Sequence, residues 1–551
     1  MKISADGEFN SKKKNGFLSG ILILSASTLI VKIIGLAYKI PMMSLLGAEG
    51  MGYFNSAYEI YALLCVISTA GLPVAVSILV SEAEETGNIR KTKRIYRTAM
   101  TVFAILGTLG TLAMFIFNEA FSSFIENPDA MPAIIAIAPS LLFVCVASAV
   151  RGYFQGRCQM APTAISQLIE ALGKLVLGIV FAKHALNSGY HLPMVAAFAI
   201  FGISLGTLVS AVYLLILKFI DDRKDGREKR EIYSYRDGRI LATLFKIAVP
   251  ITLSSAALGS TRIIDMALIM RRLHDIGYSI STANSVYGAY TTLALPIFSL
   301  VPSLITPISL ALVPRLSGAI EREDSLAQGE VSSLSLRITV LFAMPASFGI
   351  AVYSTQILEL LFPTQANAVS MVSPLLALLG ISIVFSCLIT TTNAILQSYK
   401  QTVKPILSML VGALVKILSA YILIGVPSIG VYGAPVSTLL CNITITAINI
   451  YFVNKNLSKA ESITKVYARP FLASCMMIVV SFATYLSISY WLEDSLFGFV
   501  SALFAAILSY GFFVLLFGAI SKDDVEILPM GQKIIFILNK IGFWRSEENK
   551  T

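Results

Sequence analysis

The chain has 551 residues, of which 56% are hydrophobic and only 13% charged, with a mean hydropathy of +0.77. A soluble protein carries about 25% charged residues, so a water-soluble globule is excluded. The net charge of +10 would suggest nucleic acid in a soluble chain; here the basic residues concentrate in short loops, where they fix orientation in a membrane.

Apolar runs long enough to cross a bilayer of about 30 Å recur along the whole chain. A transmembrane barrel would show short alternating segments instead. In chain order the expected helices cover 17–44, 53–81, 95–118, 132–152, 161–183, 193–218, 241–270, 284–315, 333–355, 369–397, 404–425, 431–454, 467–490 and 496–520. The expected fold class is an all-α polytopic membrane protein of about 14 transmembrane helices. Residues 1–16 form a polar, basic tail. The run behind it is too long for a signal peptide, contains Lys32 and lacks a small-residue cleavage site, so it reads as an uncleaved first helix.

The loops set the orientation. Residues 82–97 (EAEETGNIRKTKRIYR), 218–246 and 452–469 are basic, whereas FNEAFSSFIENPDA (117–130) and WLEDSLFG (491–498) carry only acids. This pattern places both termini on the cytoplasmic side of the cell membrane. One loop departs from it: RRLHDIGYSIS (271–281) should lie outside yet carries Arg271 and Arg272. Behind the last helix, PMGQKIIFILNKIGFWRS (529–546) reads as an interfacial amphipathic helix within a cytoplasmic tail, 521–551.

The stretch RGYFQGRCQMAPTAISQLIEALGKL (151–175) has an echo in NAILQSYKQTVKPILSMLVGALVK (393–416). Gln155 matches Gln397 and Lys174 matches Lys416, both 242 residues apart. LPVAVSILVSEAEETGN (72–88) similarly resembles TPISLALVPRLSGAIER (306–322), with Pro73 against Pro307. Two ordered matches of equivalent topology imply a parallel repeat. The expected lobes are 17–218 and 241–454, six helices each, joined by a cytoplasmic linker, 219–240, with two additional helices over 467–520.

Charges inside apolar runs are costly unless they pair, line a wet cavity or snorkel. Lys32 lies near the middle of the first helix, and Lys39 projects from nearly the same face two turns on. They read as anion-attracting cavity residues, or as a paired and a snorkelling lysine. Glu170 and Lys174, four residues apart, can pair directly or serve a substrate. Lys416 has Gly412 where Glu170 stands in the first lobe, so it needs another partner. Arg262 and Asp265 share a face of the seventh helix, as cavity lining or as an ion pair. Arg151, Gln155, Arg157, Pro162 and Gln397 sit at the candidate hinges, with Pro162 suited to a first helical turn. Asn55 and Tyr58, beside Tyr53, Glu59 and Tyr61, could hydrogen-bond a sugar.

The six cysteines form no C-x-x-C pair, and the three histidines have no metal spacing. Walker sequences and defensible nucleophile–base arrangements are absent from the sequence. The chain reads as a non-enzyme, without metal or cofactor; coupling to the membrane potential or a monovalent ion remains open.

The 151–175 stretch resembles the RG-F-QG…M-PTA-SQ--E signature of the stage V sporulation protein B group. These are polysaccharide-biosynthesis flippases related to the MurJ lipid II flippases. STLIVKIIGLAYKIPMMSLLGAEGMGYFNSAYEIY is similar to their first two helices, including the G-A-x-G turn at Gly47–Gly50. The resemblance implies the multidrug/oligosaccharidyl-lipid/polysaccharide exporter fold and a substrate of undecaprenyl-pyrophosphate-linked glycan, most often the peptidoglycan precursor lipid II. It maps the family's first intramembrane basic residue onto Lys32. The second basic position is Tyr38, with Lys39 adjacent, and CVISTAG (65–71) lacks the arginine pair of the Gram-negative branch. Expected partners are the lipid-linked glycan, the bilayer and cell-wall synthesis proteins, for a monomer without nucleic acid. The alternatives are a cation-coupled multidrug exporter of the same superfold, a flippase for another spore-envelope glycan, and a non-transporting scaffold.

Overall fold

A computed structural model describes residues 3–224, 237–456, 464–492 and 495–520. The expected amphipathic helix at 529–546 and most of the linker lie outside them. Among the described residues there is no strand, as required where backbone groups must bond within their own segment in lipid.

The helices are α1 (Ile3–Thr69), α2 (Leu72–Glu85), α3 (Ile89–Ile116), α4 (Asn118–Phe124), α5 (Met131–Gly156), α6 (Ala161–Asn187), α7 (Leu192–Lys224), α8 (Asp237–Asp275), α9 (Ile280–Ala289), α10 (Leu295–Glu321), α11 (Ser325–Val352), α12 (Ser354–Leu361), α13 (Ala366–Ser398), α14 (Val403–Ile424), α15 (Gly433–Asn456), α16 (Arg469–Leu492) and α17 (Ser495–Leu516). A π-helical turn, Tyr290–Ala294, joins α9 to α10.

Twelve described segments are long and apolar enough to cross a membrane. The first, Ala26–Glu85, has 60 residues and reverses at Gly47 (φ 64), a backbone conformation that favours glycine. The rings of Tyr38 and Phe54 lie 6.0 Å apart, whereas 16 residues of straight helix would separate them by about 24 Å. The segment is therefore a hairpin with two arms. Helix α8, 39 residues long with Arg262 and Asp265 within it, is not counted among the twelve. The expected number of about 14 differs from twelve at these two segments.

The chain divides into two compact units. The first comprises Met1–Pro296 and Ala420–Ala434, the second Ile297–Ser419 and Pro435–Thr551. Helices α8 and α9, allotted to the second lobe from sequence, thus pack in the first unit. The first unit's core gathers Val76, Val80, Ile95, Phe103, Val150 and Leu214 from α2, α3, α5 and α7. Helices α6 and α7 approach through glycine: a Cβ at Gly202 would collide with the Gly178 backbone, and one at Gly206 with Lys174 and Glu170. Gly202 and Gly206 form a GxxxG pair, which lets membrane helices pack backbone to backbone.

The repeat is written into the turns. Cys158 (φ 58) and Lys400 (φ 59), 242 residues apart, follow the ends of α5 and α13. Gln159 donates to the Phe154 carbonyl and Gln401 to the Leu396 carbonyl, the same helix-end closure twice. Asn88 caps α3 and Asp324 caps α11, each side chain accepting from the backbone N–H three residues on. The spacing here is 236, against 234 for the prolines.

Candidate functional site

The Gly47 hairpin brings the candidate residues of the first unit together. From its first arm, Lys39 Nζ donates to the Thr291 carbonyl at 2.7 Å. From its second arm, Asn55 Nδ2 donates to the hydroxyls of Thr291 at 2.9 Å and Thr292 at 2.8 Å. Both targets lie in the π turn, and single π turns shift the backbone hydrogen-bond register by one residue. The turn thereby presents polar groups to Lys39 and Asn55 inside an apolar span.

Glu59, on the second arm, lies within electrostatic reach of Lys39, Arg262 and Asp265, and Arg262 within reach of Lys32. Lys32 and Arg262 are exposed; Lys39, Glu59 and Asp265 are half-buried. Asp265 is already engaged within the chain. In the sequence Glu59 is legible only as a neighbour of tyrosines; the structure places it within electrostatic reach of both Lys39 and Arg262.

Glu170 and Lys174 do not pair as their spacing suggests. Glu170 Oε2 binds Arg151 Nη2 at 2.8 Å, and Arg151 also donates to Ser166 (2.9 Å) and Ser210 (3.2 Å). The planar guanidinium reaches three acceptors on α6 and α7 at once through the fixed directions of its donors. Lys174 Nζ lies instead over the rings of Tyr58 (4.8 Å), Tyr38 (5.0 Å) and Phe54 (6.0 Å). Tyr38, at the family's second basic position, is therefore a wall beneath a cation that arrives from α6.

The hinge candidates are clamps. Arg157 Nη1 binds Asp221 at 2.6 Å and Tyr153 Oη at 2.8 Å, and its Nε lies 3.5 Å from Glu84. Buried Lys218 adds an ion pair to Asp222 and lies 4.2 Å above the Tyr153 ring. Gln155 is half-buried, and its carbonyl accepts from Cys158. Pro162 occupies the first turn of α6. Arg271 and Arg272 also find local partners. Arg271 approaches Glu126 at 3.8 Å; Arg272 binds Asp275 at 2.7 Å, donates to the Tyr421 carbonyl at 3.1 Å and stacks on its ring. A cation at the end of α14 is favoured by the helix dipole.

In the second unit, Gln397 is exposed at the end of α13. Lys416 is half-buried and has a partner in the chain, so it does not depend on a substrate for one. Where the first unit has Arg151, Ser166 and Glu170, the second has Asn393, Ser408 and Gly412. Asn449 binds Asn393 at 2.8 Å, and Ser408 binds Asn449 at 2.6 Å. The repeated frame is charged in one unit and neutral in the other. Among the described residues no His/Cys/Asp/Glu group could hold a metal ion.

The sequence pattern of the polysaccharide biosynthesis protein family matches residues 17–319, more than half of the chain. The chain belongs to the polysaccharide biosynthesis protein family. The MatE pattern matches residues 280–422 of this family member. It is 26% identical over 529 residues to stage V sporulation protein B of Bacillus subtilis (strain 168), covering 95% of this chain and 99% of that one. It is 25% identical over 433 residues to lipid II flippase MurJ of the same organism, covering 73% and 76%. Its fold is similar to that of lipid II flippase MurJ in the inward closed conformation (TM-score 0.67, 17% identity, 90% of this chain and 98% of that one). It is also similar to an inward-facing multidrug resistance MATE family transporter of the MOP superfamily (TM-score 0.58, 15% identity, 78% and 98%). The fold is thus the one the sequence resemblance implied.

Proposed function

We propose that this family member is a flippase for a polyprenyl-pyrophosphate-linked glycan, with lipid II as the specific substrate, working by alternating access of two six-helix lobes. The observation that carries the reading is the grouping of cations at a single hairpin: Lys32 lies within reach of the Arg262 charge, and Lys39 and Arg262 both lie within reach of Glu59. Cations retained in apolar spans imply an anionic visitor. In this reading the pyrophosphate meets Lys39 and Arg262, and the threonine-rich π turn with Asn55 and Tyr58 faces the sugar.

The second unit supplies a feature suited to the lipid part. An apolar cavity of about 690 Å³ lies between α11, α12, α16 and α17, lined by Phe342, Pro345, Ile357, Met477, Phe499 and Ile507 among others. A polyprenyl chain matches that lining. Outward movement of each net negative charge is favoured by about 2.3 kcal/mol per 100 mV of negative-inside potential, so the potential alone can drive the step.

The test is depletion in cells lacking other flippases. Lipid-linked peptidoglycan precursor should accumulate in the inner leaflet, and Lys39→Ala should not restore its export. Normal export during depletion would refute the lipid II reading. The MatE match favours a second reading, a cation-coupled multidrug exporter. Glu59→Gln separates the two: a cation exporter loses drug resistance with that change, whereas a pyrophosphate flippase keeps its cationic ligands.

A further inference from the structure

Lys174 is held unusually. Its ammonium lies 4.8, 5.0 and 6.0 Å from the centroids of Tyr58, Tyr38 and Phe54. Its neighbour on the helix face, Glu170, is bound by Arg151. Among the described residues no hydrogen bond or ion pair from Lys174 is present, so its three donors are unspent. Aromatic faces hold a cation without consuming them.

Three further observations separate this arrangement from ordinary core packing. Tyr38 is only 1% exposed, yet its hydroxyl has no hydrogen-bond partner. Burying an unpaired hydroxyl is unfavourable, so this ring is kept for its face and not for its phenol. A Cβ at Gly178 would stand 2.8 Å from that hydroxyl, so Tyr38 is wedged in place. The cage also straddles the Gly47 reversal, with Tyr38 on one arm and Phe54 and Tyr58 on the other. Finally, Lys174 acts electrostatically on Lys39. Glu59 offsets part of that repulsion at Lys39 and Glu170 part of it at Lys174, and an anion reaching both lysines would relieve the rest.

Resting on the pyrophosphate reading above, we infer that Lys174 is a stored ligand for the substrate's phosphate, parked on the Tyr38–Phe54–Tyr58 cage and released when an anion reaches Lys39. The exchange swaps three π faces for phosphate oxygens, with no bond made or broken. Because the cage walls sit on both arms of the hairpin, emptying it removes a tie between α6 and each arm. Charge recognition and helix movement are joined in one residue. The tyrosine at the second basic position is then no loss: the charge is delivered to the same place from α6.

The experiment uses the full chain in nanodiscs, labelled with 13C at lysine Cε, and farnesyl pyrophosphate as the probe. The Lys174 signal is assigned by its loss in Lys174→Arg. Without probe, ring currents should shift the Lys174 ε-protons upfield of the other lysines. Tyr38→Phe should keep the shift, and Tyr58→Leu should reduce it. Saturating probe should move the signal into the range of the other lysines, and Lys174→Met should weaken probe binding about tenfold or more. An upfield signal unmoved at saturation, with Lys39→Ala still weakening the probe, overturns the stored-ligand inference and leaves the pyrophosphate reading standing. If the wild type fails to bind the probe at all, the reading and the inference fall together.

Discussion

Lys39 and Thr291, 252 residues apart in sequence, meet at 2.7 Å, with the lysine ammonium donating to a carbonyl in the π turn. The contact spends one of the three lysine donors and aims the remainder. It also fastens the first arm of the α1 hairpin to the α9–α10 junction, which Asn55 grips from the second arm. The anchor itself is a neutral carbonyl, and the carboxylate within electrostatic reach of this ammonium is Glu59.

Lys39→Met removes that charge while keeping the length of the side chain. A hydrogen bond to a charged group contributes about 1.5–3 kcal/mol, so binding of a polyprenyl pyrophosphate should weaken about 10–100-fold. Titration of purified protein with the lipid in nanodiscs measures this, and unchanged helicity by circular dichroism would show that the loss lies in the site.

Arg151 and Arg262 should separate by role. Arg151 is a clamp between α5, α6 and α7 with a half-buried carboxylate partner. Arg151→Ala should lower stability by about 3 kcal/mol, the low end for a broken buried pair because Glu170 keeps some solvent contact. Arg262 is exposed, so Arg262→Ala should leave the melting temperature in place and reduce transport. Thermal melts beside a transport assay distinguish the two, and Arg151→Ala/Glu170→Ala should recover part of the lost stability.

The sequence carried the helices, the offset of 242 and most of the cations, because apolar runs and intramembrane charges are local signals. It could not carry partner choice. Glu170 and Lys174 stand at ideal pairing distance on one helix, yet Arg151 from α5 takes the carboxylate and three rings take the ammonium. That outcome depends on how α5 and the hairpin pack against α6. The π turn has no signature in YTTLA, since its register shift arises from packing. Gly47 was legible as a turn, whereas Tyr38 looked like the loss of a cation and proved to be the seat of another. Arg271 and Arg272, which depart from the expected charge pattern of the loops, have local partners: carboxylates and a helix end are there to receive them.

Helix α7 presents Gly202 and Gly206 to α6 with no room for a side chain. Gly202→Leu or Gly206→Leu should force the helices apart and cost at least about 1–3 kcal/mol. Loss of monodisperse protein on size-exclusion chromatography, with normal membrane insertion, is the expected result.

Cys158 and Lys400 adopt the same left-handed conformation at equivalent helix ends. Glycine is favoured there, so Cys158→Gly and Lys400→Gly should each raise stability by up to about 1 kcal/mol. Equal and additive gains in melting temperature would be the thermodynamic mark of the repeat.

The most direct measurement of the central claim is translocation of a fluorescent polyprenyl-pyrophosphate disaccharide in liposomes containing the purified chain, read by a membrane-impermeant quencher. Wild-type protein should move the lipid between leaflets faster than empty vesicles do, more so under an imposed potential, and Lys39→Ala with Arg262→Ala should abolish the excess. Movement no faster than in empty vesicles, or wild-type rates in the double variant, would contradict a flippase built around these cations.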